Sequence, residues 1–228
     1  MDLNQTSYSI HIFGDSHSRI YSSPYLSNYI CKVYYTGPIT MHRIGRDKPT
    51  LAQLKEMSKT YYTEYLPKAK KEYQHMKYPA SDEIKPNDIV IFVFGEIDIR
   101  NHIGENAKKA NISLYESIKI CVDRYMETIL YLKNKMVNVG VYCPPASSVG
   151  WPTTYGYANV RVRNNMTLAF NNYLGEKCVE NDIRFVNICK EMILPTGETD
   201  QKFIMDDIHL SQQAMPIILE KFKDYIHG

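Results

Sequence analysis

The chain has 228 residues, of which 44% are hydrophobic and 23% are charged. These proportions are typical of a globular protein and exclude a disordered chain or a fibrous repeat. The length fits one α/β domain with a substantial core, so we expect residues 1–228 to form a single domain. The net charge is only +2 and the basic residues are spread along the chain, so the composition predicts no nucleic-acid partner.

The amino terminus lacks the basic region followed by an apolar run of about 7–15 residues that marks a secretion signal. No stretch approaches the roughly 18 apolar residues of a membrane span. We therefore expect a cytoplasmic protein with no membrane partner. The cysteines are odd in number and widely scattered without a CxxC pair, which favours buried reduced thiols over a disulfide framework or a zinc site. They are Cys31, Cys121, Cys143, Cys178 and Cys189.

Five short runs rich in β-branched and aromatic residues predict five strands. In chain order they cover residues 8–13, 32–36, 88–94, 137–143 and 183–188. The third run is the clearest, because it is almost continuously apolar, as is typical of a central strand that is covered on both faces. The first three runs end at glycines, which are Gly14, Gly37 and Gly95.

Apolar residues at helical spacing predict amphipathic helices between the later strands. Ser113, with Glu116 three residues later, forms a capping box for a helix that continues to about Leu132. Another helix is marked by the apolar residues between Val162 and Leu174.

Two further helical segments each contain a proline. Residues 50–78 predict a helix that Pro67 interrupts, and this segment is either a solvated helical face or a lid over the substrate. A last helix starts at about Ser211, whose side chain can cap it. Pro216 then lies far inside that helix, where proline is poorly tolerated.

Strands that alternate with helices indicate a mostly parallel sheet with right-handed crossovers. We therefore predict a three-layer α/β/α sandwich around a central five-stranded parallel sheet, a flavodoxin-like arrangement with strand order 2-1-3-4-5. Ligands of such sheets bind beyond the carboxyl ends of the strands. Glycines and polar residues cluster at those ends, so we expect the functional site there: Gly14 to Ser16, Gly37, Gly95 to Asp98, and Cys143 to Pro145.

Ser16 follows a strand-ending glycine at the entry to a helix, where its hydroxyl stands above the sheet edge and helix N–H groups face a developing oxyanion. This is a suitable place for a nucleophile, although a helix cap explains the same residue. Asp206 and His209 follow the last strand. Histidine is a base near neutral pH, and a carboxylate three residues away can fix its tautomer and stabilise its cation.

Together these blocks resemble the GDSL-type, or SGNH, hydrolase family. The first block is Gly14-Asp15-Ser16, with His17 where the family name has leucine, and the second would be Gly37. The third block is Gly95-Glu96-Ile97-Asp98, and the last is Asp206-Asp207-Ile208-His209. The resemblance spans nearly the whole chain, with the blocks in order and in suitable strand contexts.

The resemblance implies a serine esterase with a Ser-His-Asp triad. Ser16 would attack an ester carbonyl, His209 would remove its proton and Asp206 would orient His209, which leaves Asp207 without a triad role. We accordingly expect the Ser16 hydroxyl within about 2.6–3.5 Å of His209, or farther without a ligand, and Asp206 on the far imidazole nitrogen. Such an enzyme needs no cofactor and no metal.

The family's oxyanion hole would consist of the N–H groups of Ser16 and Gly37 and of an asparagine side chain in the third block. This chain has Ile97 at the asparagine position. Isoleucine can donate nothing, and the loss of one donor typically costs about 10²–10³ in rate. Either the hole lacks a donor or a neighbouring residue replaces it.

Three polar side chains close to that position could supply the donor, and they are Arg100, Asn101 and His102. We favour Arg100, because a guanidinium is a strong donor and suits an anionic intermediate. The alternative is that Arg100 forms a structural ion pair with Glu96 or Asp98.

Further polar residues near the same strand ends are candidates for substrate contacts: Asp15, His17, Asp98, His42, Arg43 and Arg46. The segment 37–45 could line a substrate pocket. Ordinary loop polarity explains these residues equally well.

Two other functions are open at this point. In the first, Asp15 and His17 are the opening DxH of a metallophosphoesterase, and further acids and His209 complete a two-metal cluster: Glu96, Asp98 and Asp206. The later Gly-Asn-His-Asp/Glu signature of that family is absent from the sequence. In the second, a glycan- or protein-binding module has kept the fold and lost the oxyanion donor.

Within the preferred interpretation the substrate is a small-molecule or glycan ester. We favour O-acetyl groups on carbohydrate, either hydrolysed or transferred, because the candidate loops are polar and offer no obvious channel for a long acyl chain.

Overall fold

The computed structural model describes residues 8–22, 24–27, 29–68, 76–80, 83–135, 138–148, 159–206 and 208–227. Asp207, the neighbour to which we assign no triad role, lies outside these residues. So do residues 69–75 of the segment with the interrupted helix.

A five-stranded sheet forms the centre of the molecule. Its strands are β1 (Ser9–Gly14), β2 (Ile30–Tyr35), β3 (Ile89–Val93), β4 (Asn138–Tyr142) and β5 (Arg184–Val186). Every neighbouring pair is parallel, and the order across the sheet is β2-β1-β3-β4-β5. The predicted α/β fold with strand order 2-1-3-4-5 is thus confirmed, and each predicted run overlaps one of the strands, with ends that differ by one or two residues.

The α-helices of the described residues are α1 (Met41–Asp47), α2 (Leu51–Thr60), α3 (Ile103–Ala110), α4 (Leu114–Lys133), α5 (Val160–Glu180) and α6 (Met215–His227). The capping box predicted at the start of α4 is present, since Ser113 Oγ accepts the N–H of Glu116 and the Glu116 carboxylate accepts the N–H of Ser113. Between β1 and β2 the chain forms a short 3₁₀ helix, Ser16–Ser22.

Two hydrophobic clusters cover the two faces of the sheet. Alternate residues of β3 point to opposite faces, so Val90 and Phe92 belong to one cluster, whereas Ile89, Ile91 and Val93 belong to the other. The first cluster includes side chains of α1, α4 and α5, and the second includes side chains of the Ser16–Ser22 helix and α6. The sheet is therefore the middle of three layers, which explains why its third strand is apolar on both faces.

The last helix begins later than the position of Ser211 suggests. Ser211 Oγ accepts the N–H of Gln213 at 3.2 Å and so caps a 3₁₀ turn, Gln212–Ala214, and α6 follows from Met215. Pro216 thus lies in the first turn of α6, where its missing N–H costs no hydrogen bond.

The interrupted helix begins with a capping box of Thr50 and Gln53 and runs as α2 to Thr60. A wide turn of π-helix, Tyr61–Tyr65, follows, and Pro67 lies in a 3₁₀ turn, Leu66–Lys68. Within the described ranges of the chain, no helix is both long enough and apolar enough to cross a membrane.

Candidate active site

The register of the sheet brings the first three sequence blocks side by side. Gly14 pairs with Tyr35 of β2 and with Val93 of β3. Ser16, Gly37 and Gly95 each follow these paired residues by two positions. The blocks therefore leave the carboxyl edge of the sheet at the same level, on adjacent strands.

A network of short-range hydrogen bonds shapes the turn that carries Ser16. The Asp15 carboxylate accepts the N–H of His17 at 2.9 Å, and the Asp15 carbonyl accepts the hydroxyl of Ser18 at 2.7 Å. These bonds start the 3₁₀ helix directly after β1, so Ser16 is its first residue and is only partly buried. Asp15 itself is buried, and this burial raises the pKa of its carboxyl to about 6.

Asp206 and His209 are paired as the sequence predicts. Asp206 Oδ2 lies 2.7 Å from His209 Nδ1, and Asp206 Oδ1 accepts the backbone N–H groups of Ile208 and His209. Burial would raise the pKa of Asp206, but the hydrogen bonds from His209 and Ile208 outweigh it and lower that pKa to about 2. The carboxylate is thus ionised, and one loop fixes both the position and the orientation of the imidazole.

Arg19 contacts the other nitrogen of this imidazole. Its Nη2 lies 2.7 Å from His209 Nε2. A guanidinium can only donate, so Nε2 is the acceptor and the imidazole proton lies on Nδ1, facing Asp206. Burial, the nearby charge of His17 and the guanidinium together lower the pKa of His209 to about 4, although Asp206 acts in the opposite direction.

Within the described residues, no hydrogen bond joins the Ser16 hydroxyl to His209. The nitrogen predicted to receive the serine proton accepts from Arg19 instead. Of the three residues of the expected triad, the described contacts therefore join only Asp206 and His209.

The two backbone donors of the predicted oxyanion hole have no partner among the described residues. Neither the N–H of Ser16 nor that of Gly37 donates to another group there. Gly95, at the start of the third block, has a φ of +113°, and a Cβ atom there would lie 2.8 Å from Pro144 Cγ. Only glycine fits this turn, because other residues strongly disfavour that φ and lack the space.

Arg100 forms the ion pair that we considered as its alternative role. Its Nε and Nη2 donate to the two carboxylate oxygens of Glu96 at 2.7 and 3.2 Å, and both side chains are largely buried. His17 Nε2 lies 3.6 Å from Glu96, too far for a hydrogen bond. Burial would raise the pKa of Glu96, but His17 and Arg100 lower it to about 2. The positive charge of Arg100 also lowers the pKa of Asp15, the residue after β1, and so partly opposes the effect of burial.

Asp98, which follows β3, has a different environment, because its side chain contacts the amino-terminal end of α1. Its carboxylate accepts the N–H groups of Met41 at 2.6 Å and of His42 at 3.1 Å. Burial raises its pKa to about 7 despite these bonds.

His102 and His42 line a cavity of about 410 Å³ together with Asp98. The side-chain oxygen of Asn101 is buried, and no group of the described chain donates to it.

Within the described residues the acids and histidines of the metal hypothesis do not form one set of ligands, although His17 lies near both Glu96 and His209. Asp206 and His209 pair with each other, Glu96 pairs with Arg100, and Asp98 accepts from α1. Among residues whose placement the structure describes, no three His, Cys, Asp or Glu side chains could hold one metal ion.

A cavity of about 820 Å³ lies beside Gly37, and mainly α1, α2 and the turn after α2 form its walls. Its lining includes Tyr61 and Tyr65, whose rings are stacked at 6.0 Å, and Arg43. Tyr61 also contacts Tyr35, with 4.2 Å between ring centroids. Segment 37–45, which we considered as the lining of a substrate pocket, supplies part of these walls. The rest of the lining depends on how α2 packs over β2.

The sequence motifs do not single out Arg19, although it lies three residues after Ser16 and this spacing places both on one face of a 3₁₀ helix. The tyrosines after α2 belong to the segment for which a lid was one alternative, and their position beside Gly37 follows from tertiary packing. The cluster Tyr61, Tyr62 and Tyr65 is the only signal in the sequence for it.

Comparison with protein-family models matches residues 10–222 to the family described as GDSL-like Lipase/Acylhydrolase. A search of curated protein sequences finds no match. Among solved structures, the chain is similar to a GDSL-like lipase from Bacteroides thetaiotaomicron, with 14% identity, a TM-score of 0.58, and coverage of 99% of this chain and 92% of that one.

Two other solved structures share the fold. A member of the lipolytic protein G-D-S-L family from Veillonella parvula has 12% identity, a TM-score of 0.53, and coverage of 96% and 97% of the two chains. An acetyl xylan esterase, AlAXEase, has 11% identity, a TM-score of 0.50, and coverage of 96% and 99%.

Proposed function

The chain belongs to the GDSL-like lipase/acylhydrolase family, and from this premise we propose that it is a serine-dependent ester hydrolase that acts through an acyl-enzyme on Ser16. The observation that carries the proposal is the Asp206–His209 pair. It has the tautomer that a general base needs, with Nδ1 facing the carboxylate, and it contacts the helix that begins with Ser16.

In the proposed reaction Ser16 Oγ forms a bond to the acyl carbon while its proton passes to His209 Nε2. The carbonyl π electrons move to the carbonyl oxygen and give a tetrahedral oxyanion. When the oxyanion collapses, the bond to the alcohol oxygen breaks and the proton on Nε2 passes to that oxygen. Water then attacks the acyl-enzyme in the same way and releases the acid and free Ser16.

The oxyanion is stabilised in this proposal by the N–H groups of Ser16 and Gly37, with Arg100 as the third donor. The two backbone donors follow paired residues of adjacent strands by the same number of positions, and this arrangement supports their role. The paired Glu96 carboxylate would fix the orientation of Arg100, so the ion pair and the donor role are compatible. A preorganised donor costs no reorganisation when the charge develops.

For the substrate we propose O-acetylated carbohydrate, and the cavity beside Gly37 supports this class. Sugar rings have apolar faces that stack on aromatic rings and hydroxyl groups that need polar partners. The cavity combines the Tyr61 and Tyr65 rings with Arg43, Gln53 and Glu56. An acetyl xylan esterase has a similar fold, so the fold is compatible with such a substrate.

The proposal is tested by treating the protein with a fluorophosphonate probe and by assaying a panel of acetylated sugars and short p-nitrophenyl esters. We expect the probe to label the peptide that contains Ser16, and we expect ester turnover that a chelator does not reduce. Product analysis in the presence of excess sugar reports whether water or a hydroxyl resolves the acyl-enzyme. No labelling and no turnover would instead favour the non-catalytic binding module, and chelator-sensitive turnover would favour the metal-dependent hypothesis.

A further inference from the structure

We propose that Arg19 binds an anionic group of the substrate, a carboxylate or phosphate close to the scissile ester, and that this contact releases His209 for catalysis. The inference rests on the proposed function, since it specifies the substrate of the same site. It starts from the geometry of the Ser16–Ser22 helix.

A 3₁₀ helix has three residues per turn, so residues three positions apart lie on one face. Ser16 and Arg19 are such a pair, whereas His17, Ser18, Ile20 and Tyr21 are buried on the other faces. The Arg19 Nε donates to the Ser16 carbonyl oxygen at 3.0 Å. The guanidinium is thereby kept beside the nucleophile.

The described contacts of this guanidinium include three groups close to the proposed reaction centre. Besides the Ser16 carbonyl, these are His209 Nε2 at 2.7 Å and the Tyr35 ring, whose centroid is 5.4 Å from the guanidinium carbon. The lone pair of Nε2 is the one that must receive the Ser16 proton. It is occupied while Arg19 donates to it, so the base is blocked in the resting site.

The contact with His209 is a hydrogen bond to a neutral acceptor. An anionic acceptor competes for the same N–H group far better, because charge-assisted hydrogen bonds of a guanidinium are roughly twice as strong as neutral ones and can be bidentate. A substrate anion would therefore draw Arg19 away from Nε2 and free the lone pair. A neutral ester offers no such group.

The position of Arg19 fits the proposed sugar site. The Tyr35 ring that it contacts also contacts Tyr61 of the cavity. An anion bound by Arg19 would thus lie between the ester at Ser16 and a sugar in the cavity. The substrate class is an O-acetylated sugar acid or an O-acetylated sugar phosphate.

The kinetic test compares an acetylated methyl glucuronoside, an acetylated glucose 6-phosphate and an acetylated methyl glucoside at fixed ionic strength. We expect kcat/KM for at least one anionic ester to exceed that for the neutral ester by about 10- to 100-fold. Arg19→Ala should abolish this preference by lowering kcat/KM for the anionic ester and raising it for the neutral ester, because Nε2 is then no longer blocked, and Arg19→Lys should keep part of the preference. Arg161→Ala, which removes an exposed charge paired with Glu198, is the matched control and should keep the preference.

A binding test gives a result even if no ester is turned over. The imidazole ¹⁵N signals of His209 are followed while methyl glucuronoside, glucose 6-phosphate or neutral methyl glucoside is added to the wild-type protein. We expect an anionic ligand, but not the neutral one, to shift the Nε2 signal, and the Arg19→Ala protein to lack the response. Comparing the titration with methyl glucuronoside and the titration with glucose 6-phosphate shows whether the site binds a carboxylate or a phosphate.

The two proposals fail in different ways. Absence of probe labelling and of turnover, with the Nε2 response intact, would refute the hydrolase and keep the anion site. Turnover without any preference for anionic esters, equal losses for all esters in Arg19→Ala, or equal Nε2 shifts with neutral and anionic sugars would refute the role of Arg19.

Discussion

The part of the chain that the structure describes contains two aspartate–histidine pairs, one at each edge of the same sheet. Asp206 and His209 lie near the carboxyl ends of the strands. Asp88 and His11 lie at the opposite edge, where β1 and β3 begin, and Asp88 Oδ2 is 3.0 Å from His11 Nε2. The contacts are almost the same, but the surroundings of the two imidazoles differ.

His11 is fully buried, and protein side chains occupy both of its nitrogens. Its Nδ1 lies 3.1 Å from the Tyr34 hydroxyl, and its partner Asp88 also accepts the N–H groups of Ser9 and Lys85. Both nitrogens of His209 also contact protein side chains, but His209 is only partly buried and its Nε2 contacts Arg19 of the helix that begins with Ser16. In the proposed mechanism the pair at the carboxyl edge is catalytic and the pair at the opposite edge is structural, in line with the rule that ligands bind beyond the carboxyl ends.

The sharpest test of this comparison is to remove the nucleophile. We expect Ser16→Ala to lower ester turnover by about 10³–10⁶-fold with the fold intact, since the acyl-enzyme can no longer form. Ser22→Ala makes the same change at an exposed position of the same short helix and should keep full turnover. Steady-state kinetics and circular dichroism of both variants decide the matter, and unchanged turnover in Ser16→Ala would end the serine mechanism.

Removing the base should have a similar effect. We expect His209→Ala to lower kcat by about 10³–10⁶-fold, and Asp206→Ala to lower it less, by about 10²–10⁴-fold, because the imidazole remains without its orienting carboxylate. The measurement is kcat with a p-nitrophenyl ester. A larger loss for Asp206→Ala than for His209→Ala would contradict the assigned roles.

The third block of the site should show an intermediate effect. If Arg100 is the third oxyanion donor, Arg100→Ala lowers kcat by about 10²-fold with little change in KM, because the contact forms mainly in the transition state. Arg100→Lys should not restore the rate fully, since an ammonium lacks the planar fork that Glu96 orients. A kcat within about twofold of the parent, together with a lower melting temperature, would assign Arg100 to the ion pair alone.

The pH dependence of kcat/KM gives a smaller effect. Burial, His17 and Arg19 lower the pKa of His209 to about 4, against the opposing effect of Asp206. A general base acts in its unprotonated form, which exists above this pKa, so we expect kcat/KM to rise as pH increases through about 4 and then to level off toward neutrality. A profile that keeps rising through pH 6 to 7 would mean that the imidazole is charged in the resting site.

The smallest expected effect on catalysis belongs to the structural pair. His11→Ala removes hydrogen bonds to Asp88 and Tyr34, so we expect the free energy of unfolding to fall by about 1–3 kcal/mol. The kcat of the folded protein should stay within about twofold of the parent. Chemical denaturation and kinetics on the same preparation measure both quantities, and a loss of kcat like that of His209→Ala would remove the distinction between the two edges.

Much of this molecule could be predicted from its sequence because the relevant signals are local. The apolar run at β3, the capping box at Ser113 and the glycines that end the first strands each determine a short segment. Parallel topology then aligns those strand ends, so the sequence alone predicts that the blocks of Ser16, Gly37 and Gly95 lie together.

The remaining features depend on packing between distant segments. The contact of Arg19 with His209 joins residues 190 positions apart and depends on how the loop before α6 packs against the helix after β1. The sequence could not decide whether Arg100 is an oxyanion donor or an ion-pair partner of Glu96, because both roles need a positive charge at the same position. The tyrosine-lined cavity requires α2 to cross over β2, which no local pattern encodes.

The buried carboxylate of Asp98 has a consequence for redesigning the range of accepted esters. It fastens the first turn of α1 to the segment after β3, and the Thr128 hydroxyl of α4 donates to the Ile44 carbonyl of α1 at 3.2 Å. The α1 wall of the 820 Å³ cavity beside Gly37 is thereby held in place by hydrogen bonds at two points. Libraries that diversify the opposite wall, which α2 supplies through Gln53, Glu56 and Met57, would reshape the cavity without disturbing either anchor.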